Sequence, residues 1–252
     1  MKVEGKIIVI TGAARGIGQE YARYFGSLGA RVVIADINDC AHTLELVRAE
    51  KAAAVCAKLD VASAASAMEM ARTALDAFGR IDALINNAAL YGGLKGGRFD
   101  AITEVDWDAA MAVNVKGIWN CCKAVVPALR QVGGGSIVNM ASLAATYGMP
   151  YGLHYTTSKA AVIGLTRGLA LELGRDNIRV NAVAPSAVLT EGTREFFAQK
   201  TDKALDAIRM GQAIARNLTP SDLLGAVHWL VSDSSQLVTG QTIAVDGGTV
   251  MH

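Results

Sequence analysis

Short apolar segments alternate with longer amphipathic segments along almost the whole chain. Segments such as IIVI and RVVIA are apolar without interruption, which is typical of strands in a parallel sheet that is covered on both faces. The pattern predicts seven strands, over residues 6–10, 31–35, 53–59, 83–86, 135–140, 178–183 and 242–245.

The segments between these strands predict helices, because their apolar residues recur at helical spacing. Glycines mark several helix ends: Gly29 and Gly79 follow helical segments, and three glycines at 133–135 precede a strand. Strand and helix in regular alternation predict a doubly wound, Rossmann-type α/β fold with a parallel seven-stranded sheet and helices on both faces. The predicted helices span residues 17–29, 40–52, 64–78, 104–131, 153–174 and 220–231.

One segment departs from this alternation. Residues 191–217 follow the sixth strand and contain no predicted strand of their own. They predict a small helical insertion that covers a site, and we call them the lid segment. Since no low-complexity linker or solenoid repeat divides the sequence, we expect a single domain over residues 1–252.

Composition narrows the possible functions. With 52% hydrophobic and 19% charged residues among 252, the chain is expected to be globular. A net charge of +1, spread along the sequence, argues against nucleic acid as a partner. The longest aliphatic runs are too short to span a bilayer, and the N-terminal one is shorter than a signal-peptide core.

The cysteines and histidines suggest neither a metal site nor a redox site. The four cysteines form no CxxC pair and the four histidines no HExxH motif. We therefore expect no metal, and reduced thiols in a cytoplasmic protein. The cysteines are Cys40, Cys56, Cys121 and Cys122.

A glycine-rich loop, TGAARGIG at residues 11–18, joins the first strand to the first helix. Glycine allows a tight turn and close approach to a pyrophosphate, and the helix N-terminus offers free N–H groups. Asp36 ends the second strand, 18 positions after Gly18, where a carboxylate can bind ribose hydroxyls and repel a 2′-phosphate. Arg15 could attract that phosphate, but Asp36 occupies the ribose position. We predict NAD(H) over NADP(H).

Ser142, Tyr155 and Lys159 form the second candidate group. Tyr155 follows Ser142 by 13 positions and precedes Lys159 by four, so on a helix Tyr155 and Lys159 share one face about 6 Å apart. A free tyrosine titrates near pH 10, and a neighbouring ammonium lowers that pKa. Tyr155 could then move a proton while the Ser142 hydroxyl holds a substrate oxygen. The alternative is a chance Tyr–Lys pair on a helix surface.

Taken together, the motifs resemble the short-chain dehydrogenase/reductase family, of the short type near 250 residues, over nearly the whole chain. The order in which they occur matches that family. The motifs are TGAARGIG at 11–18, DV at 60–61, NNAA at 86–89, Asn114, Ser142, Tyr155, Lys159, NAVAP at 181–185, TGQ at 239–241 and DGG at 246–248.

The resemblance implies four catalytic residues. Tyr155 would be the general acid/base, and Ser142 would bind and polarise the substrate oxygen. Lys159 would lower the tyrosine pKa and bind the nicotinamide ribose. Asn114 would hold a water that relays protons from Lys159 to solvent, and its alternative is a helix-interior amide bonded to backbone.

The resemblance also implies a cofactor site. Asp60 and Val61 would frame the adenine and Asn87 would lie beside the adenosine ribose. Val188 and Thr190 would meet the carboxamide or phosphate side. The cofactor-binding residues expected are Gly12, Arg15, Gly16, Ile17, Gly18, Asp36, Ile37, Asp60, Val61, Asn87, Ala88, Tyr155, Lys159, Pro185, Val188 and Thr190.

Two departures from the family concern the substrate. Ala89 and Ser186 stand where the family usually has glycine. Ser186 and the ending VDGGTVMH are similar to dehydrogenases of aryl-substituted secondary alcohols. His154 could contact substrate, but a surface position at a helix start is favoured.

The expected pocket is mostly apolar, which predicts a hydrophobic or aromatic secondary alcohol or ketone. The substrate-site residues predicted are Ser142, Leu143, Tyr155 and Ser186, with Leu90, Tyr91, Ala144, Tyr151, His154 and the lid segment as further candidates.

Three functions remain open. The favoured one is hydride transfer between NAD and a secondary alcohol or ketone. An NADPH-dependent 3-oxoacyl-carrier-protein reductase would favour a basic residue after the second strand. A non-catalytic nucleotide sensor would be expected to lack Ser142, Tyr155 or Lys159. The resemblance further implies a homotetramer in which the two long helices pair between subunits.

Overall fold

A single parallel sheet forms the centre of the molecule in a computed structural model, which describes residues 1–251. Its seven strands lie in the order β3-β2-β1-β4-β5-β6-β7, which confirms the doubly wound α/β fold. The strands are β1 (Ile7–Thr11), β2 (Arg31–Asp36), β3 (Ala54–Lys58), β4 (Ala83–Asn86), β5 (Gly135–Met140), β6 (Ile178–Pro185) and β7 (Thr242–Val245).

Helices cover both faces of this sheet. One hydrophobic core joins the sheet to α3, α5 and α7, and the other joins it to α1, α2 and α10. Alternate residues of β1 serve the two cores, with Val9 in the first and Ile8 in the second. The helices are α1 (Gly16–Ser27), α2 (Ala41–Ala49), α3 (Ala64–Phe78), α4 (Glu104–Met111), α5 (Gly117–Gln131), α6 (Ala144–Tyr147), α7 (Leu153–Leu173), α8 (Glu191–Phe197), α9 (Thr201–Met210) and α10 (Leu224–Val231).

Two predicted helices are not continuous α-helices. The one expected over 104–131 is interrupted by a π-helical turn, Ala112–Lys116, in which the Gly117 N–H donates to the Ala112 carbonyl. Such turns often occur at functional sites. The one expected over 220–231 begins with a 3₁₀ turn, Pro220–Leu223.

Residues after the carboxyl ends of the strands meet at one edge of the sheet, where ligands bind in folds of this type. β1 pairs with β2 on one side and with β4 on the other. Successive strands are therefore added on one side of β1 up to β3 and on its other side from β4 onwards. The lid segment contains α8 and α9. Val188, which precedes it, and Leu218, which follows it, form a β-bridge.

Within residues 1–251, none of the helices combines the length and apolar character needed to cross a membrane.

Candidate active site

Ser142 and Tyr155 line a common cavity of about 110 Å³. Ser142 follows β5, and Tyr155 lies in the first turns of α7. The cavity is lined by Ile17, Tyr91, Ser142, Leu143, Ala144, Tyr147, Met149, Tyr155, Pro185, Ser186, Ala187, Val188, Thr190, Thr193, Phe197 and Ile208.

Lys159 and Tyr155 are both buried beside this cavity. The Lys159 Nζ atom donates a hydrogen bond to the Met140 carbonyl at 2.7 Å and lies 5.7 Å from the centroid of the Tyr155 ring. Burial lowers the pKa of Lys159 to about 8. At neutral pH most of this lysine is therefore still an ammonium.

The pKa of Tyr155 differs from the expectation. Burial raises the pKa of Tyr155 to about 12, while the nearby Ser142 hydroxyl acts in the opposite direction. The net shift is opposite to the expected lowering, because desolvation of the phenolate is the largest effect. The part that Lys159 plays in setting this pKa stays a prediction. Tyr155 is thus a phenol at neutral pH and is suited to donate a proton.

The Asn114 side chain is fully buried and bonded within the protein. Its amide Nδ2 donates to the Leu90 carbonyl at 3.1 Å and to Ser158 Oγ at 3.0 Å. Its Oδ1 accepts from the Leu90 N–H at 2.7 Å. The helix-interior alternative therefore describes this side chain, which ties the segment after β4 to α7. Its role in a proton relay stays a prediction.

The glycine loop leaves a space at the start of α1. A Cβ atom on Gly12 would lie 2.6 Å from Ala88 Cα, and one on Gly18 would lie 2.2 Å from the Gly12 carbonyl oxygen. Gly16, at φ +61°, would instead project its Cβ into open space. The loop is therefore closely packed at Gly12 and Gly18 and open at Gly16. This arrangement fits a pyrophosphate at the helix N-terminus.

Thr11 braces this loop and was not among the predicted site residues. Its Oγ1 accepts from the N–H groups of Asn87 and Ala88, both at 3.0 Å. The Asn87 Nδ2 donates to the carbonyls of Thr11 at 3.0 Å and Gly12 at 2.9 Å. Asn87 thus holds β4 to the glycine loop. The signal for this role in the sequence was the position of Thr11, a hydroxyl residue at the end of an apolar strand.

Asp36 lies at the loop, as expected. Its carboxylate accepts from the Ala14 N–H at 2.9 Å and from the N–H and Nδ2 of Asn38 at 2.8 and 3.0 Å. The next residue, Ile37, is 56% exposed at the sheet edge. Asp60 and Val61 follow the neighbouring strand, β3. The four residues expected at the adenosine end therefore lie at adjoining strand ends.

Arg15 is directed at the lid segment. Its Nη1 donates to Glu191 and Glu195, each at 2.7 Å, and its Nη2 donates to Glu195 at 3.2 Å. The sequence motif suggested a cofactor contact, whereas the guanidinium is engaged by two carboxylates. Its positive charge is consequently offset by the lid segment.

The other expected cofactor contacts lie close to the substrate side. Pro185, Val188 and Thr190 line the cavity with Ile17. The Thr190 hydroxyl accepts from the Thr193 N–H at 3.2 Å, which caps α8.

Not all candidate substrate residues reach the cavity. Tyr91, Leu143, Ala144 and Ser186 line it. The others lie outside its lining: these are Leu90, Tyr151 and His154.

His154 is fully buried, so its predicted surface position is wrong. It lies one helical turn before Ser158, on the face of α7 that packs against Asn114. Neither ring nitrogen finds a hydrogen-bond partner within residues 1–251.

Aromatic side chains close the cavity from the lid segment. The Phe196 ring stacks on Tyr91, with centroids 4.6 Å apart and planes at 14°. Tyr91 in turn lies 4.9 Å from the Tyr155 ring. Phe196, with the cavity-lining Phe197, was missed by sequence reasoning, although adjacent phenylalanines in a polar segment were a visible signal.

A larger cavity of about 660 Å³ lies at the opposite edge of the sheet. Its cationic side chains have partners: Lys6 pairs with Asp233 and Arg80 with Asp82. None of the predicted site residues lines it, so the chemistry belongs to the smaller cavity.

Comparison with known proteins finds relatives that match nearly the whole chain. The family model described as "Enoyl-(Acyl carrier protein) reductase" matches residues 12–250. The chain is 37% identical to the 3-oxoacyl-[acyl-carrier-protein] reductase FabG of Thermotoga maritima, with 100% of both chains covered. It is 34% identical to the D-threitol dehydrogenase of Mycolicibacterium smegmatis, with 98% of this chain and 94% of that one covered.

A solved structure of 7α-hydroxysteroid dehydrogenase with NADH and 7-oxo glycochenodeoxycholic acid superimposes with a TM-score of 0.92. Sequence identity is 33%, and the alignment covers 100% of this chain and 96% of that one. With the family model spanning nearly the whole sequence and the same fold in a relative, the chain belongs to the short-chain dehydrogenase/reductase family of oxidoreductases.

Proposed function

We propose that this protein is an NAD(H)-dependent oxidoreductase that interconverts a hydrophobic or aromatic secondary alcohol and its ketone. The observation that carries this proposal is the cavity itself. Ser142 and Tyr155 bring two hydroxyl groups to a cavity with mainly apolar walls, and Lys159 is buried next to Tyr155. Ser142 could hold the carbonyl oxygen of a ketone while the hydrocarbon part of that ketone contacts residues such as Leu143.

In ketone reduction, Tyr155 donates its phenolic proton to the substrate oxygen and Ser142 holds that oxygen by a hydrogen bond. A dinucleotide on the glycine loop would supply or accept the hydride. In alcohol oxidation, Tyr155 takes the hydroxyl proton, and Lys159 stabilises the phenolate that this requires. Acid/base catalysis of this kind contributes about 10²–10⁴-fold in rate.

NAD(H) is the proposed dinucleotide because of two charged groups. Asp36 lies at the end of β2, where its carboxylate would repel a 2′-phosphate. Arg15 is the loop cation that could attract such a phosphate, and it is engaged by Glu191 and Glu195. Comparison of kcat/KM with NADH and NADPH tests the assignment. A higher value with NADPH would overturn it.

The substrate class is tested by measuring NAD⁺ reduction with a panel of secondary alcohols. We expect aryl and other hydrophobic alcohols to give the highest kcat/KM, since the cavity walls carry few charges. Polyols and sugars serve as the comparison, because one relative is a D-threitol dehydrogenase. Faster turnover of sugars than of aryl alcohols would contradict the apolar pocket argument.

A 3-oxoacyl-carrier-protein reductase is the second candidate, favoured by the 37% identity to the Thermotoga maritima enzyme of that name. Asp36 at the ribose position and the near-neutral charge argue against it. Assay of a 3-oxoacyl thioester with NADPH separates the two. A nucleotide sensor without activity is less favoured, since Ser142, Tyr155 and Lys159 are all present.

We also propose a homotetramer, built through α4, α5 and α7. Val105 on α4 and Leu171 on α7 are 77% and 87% exposed, and Trp119 on α5 is 46% exposed. Such apolar surface favours contact between subunits. Light scattering after size-exclusion chromatography tests this state, and a monomer at micromolar concentration would contradict it.

A further inference from the structure

Two of the contacts that hold helix α8 against the body of the protein come from adjacent residues, and Glu191 adds a further ion pair with Arg15. Glu195 accepts hydrogen bonds from both terminal nitrogens of Arg15, at 2.7 and 3.2 Å. Phe196 stacks on Tyr91 at a centroid distance of 4.6 Å. The ionic contact therefore ends on the glycine loop, and the aromatic contact ends in the substrate cavity.

We propose that Glu195 is a positioning residue that, through its ion pair with Arg15, holds the lid segment over the substrate cavity and so sets the affinity for the ketone or alcohol. This inference rests on the proposed function for the identity of the substrate. It concerns KM, because Glu195 lies outside the cavity lining while its neighbours Thr193 and Phe197 line it.

Gly92 gives independent support for this role. A Cβ atom at this position would lie 2.2 Å from Glu195 Oε2, 3.0 Å from Glu195 Cβ and 3.0 Å from the Gly192 carbonyl oxygen of α8. The Glu195 side chain thus crosses the surface of Gly92 to reach Arg15, and only a residue without a side chain leaves that path open. The adjacent Gly93 differs, since its Cβ would make an ordinary 3.6 Å contact with Leu90.

The contact is partly exposed, so its effect is expected to be modest. The side chains of Arg15 and Glu195 are 53% and 38% exposed, and exposed ion pairs change an equilibrium by about two- to fivefold. The paired geometry, in which both Glu195 oxygens meet the guanidinium, favours the upper part of that range. Screening by salt should weaken it.

Two variants test the proposal: Glu195→Gln removes the charge, and Gly92→Ala obstructs the side chain. Each should raise KM for the ketone by about two- to fivefold and leave kcat unchanged, since neither touches Ser142 or Tyr155. High salt should raise the wild-type KM towards the variant value. Gly93→Ala is the matched control and should behave as wild type.

A second measurement does not depend on turnover. The lid segment contains Arg194 and Lys200, so trypsin cleavage there reports how firmly the segment is held. Gly92→Ala leaves the sequence around both sites intact, and we expect faster cleavage at Arg194 than in wild type or Gly93→Ala. Calorimetry with NAD⁺ should give the same Kd for wild type and Glu195→Gln.

Unchanged KM and unchanged cleavage in Glu195→Gln and Gly92→Ala would overturn the proposal. A weaker NAD⁺ Kd with unchanged KM in Glu195→Gln would also overturn it, because the pair would then act on the dinucleotide. If the wild type turns over no alcohol or ketone, the proposed function fails instead. The cleavage rates then still show whether Glu195 holds the lid segment.

Discussion

Lys159 Nζ lies 5.7 Å from the centroid of the Tyr155 ring, and both side chains are buried one helical turn apart on α7. Burial shifts both groups towards their neutral forms, since it raises the pKa of Tyr155 and lowers that of Lys159. At neutral pH both groups therefore carry a proton, Tyr155 as a phenol and Lys159 mainly as an ammonium. That resting state favours proton donation to a ketone over proton removal from an alcohol.

Tyr155→Phe should remove nearly all turnover in both directions while leaving NAD⁺ affinity unchanged. The phenylalanine keeps the ring against Tyr91 but has no proton to give. Steady-state rates and NAD⁺ binding by calorimetry measure the two effects. Retention of more than a few per cent of wild-type kcat would show that Tyr155 is not the acid/base group.

Alcohol oxidation should accelerate with rising pH, and ketone reduction should not. Oxidation needs the Tyr155 phenolate, whose fraction grows tenfold per pH unit below a pKa of about 12. Reduction needs the phenol, which persists throughout that range. Rates measured from pH 6 to about 7.5 in both directions test this, because Tyr155 is then mainly protonated and Lys159, with a pKa of about 8, is still mainly an ammonium. An oxidation rate that is flat from pH 6 upward would contradict the raised pKa.

Lys159→Met should abolish activity and yet stabilise the fold at pH 7. A buried ammonium is costly, as the lowered pKa of Lys159 records, although the Met140 carbonyl loses its donor. We expect a net gain of about 1 kcal/mol in the free energy of unfolding.

The pH dependence of that gain provides the check. The pKa of Lys159 is about 8 in the folded chain against 10.5 for a free lysine. Between these values the unfolded chain binds more protons, so wild-type stability rises with pH. The difference in unfolding free energy between variant and wild type should therefore shrink above pH 8 and change sign before pH 10.5, because each pH unit in this range stabilises the wild type by about 1.4 kcal/mol. Denaturant unfolding at pH 7 and 9.5 measures it, and a constant difference would contradict the burial argument.

The sequence was sufficient for the sheet because each strand carries a short, mostly apolar run between glycine or polar residues. The residues at which the strands end were harder to predict. β6 continues two residues beyond the predicted end, to Pro185, because Pro185 pairs with Val245 of β7. That pairing depends on a contact some 60 residues away, which no local pattern in the sequence encodes.

The site shows the same division. Motif spacing identified Ser142 and Tyr155 as cavity residues, since the helix and the strand end fix their positions. The stacking of Phe196 on Tyr91 was not predictable, because the two residues are far apart in the sequence and no local pattern pairs them. The pKa of Tyr155 was predicted in the wrong direction, because its burial arises from residues distant in sequence.

Asn114→Ala should destabilise the fold and weaken substrate binding together. The Asn114 amide pairs with both the N–H and the carbonyl of Leu90, so its removal takes the partner from two partly buried backbone groups. Each such group costs about 1–3 kcal/mol. Leu90 precedes Tyr91, whose ring lines the cavity, and KM for the ketone should therefore rise.

Asn120→Ala is the matched control for this variant. Asn120 is also buried, and its amide donates to a single carbonyl, that of Val61, at 2.9 Å. It should be less destabilising than Asn114→Ala and should leave KM for the ketone unchanged, because Val61 lies outside the cavity lining. An Asn114→Ala protein with wild-type stability and wild-type KM, reduced only in kcat, would contradict the bracing role. That result would instead favour Asn114 as part of the proton relay.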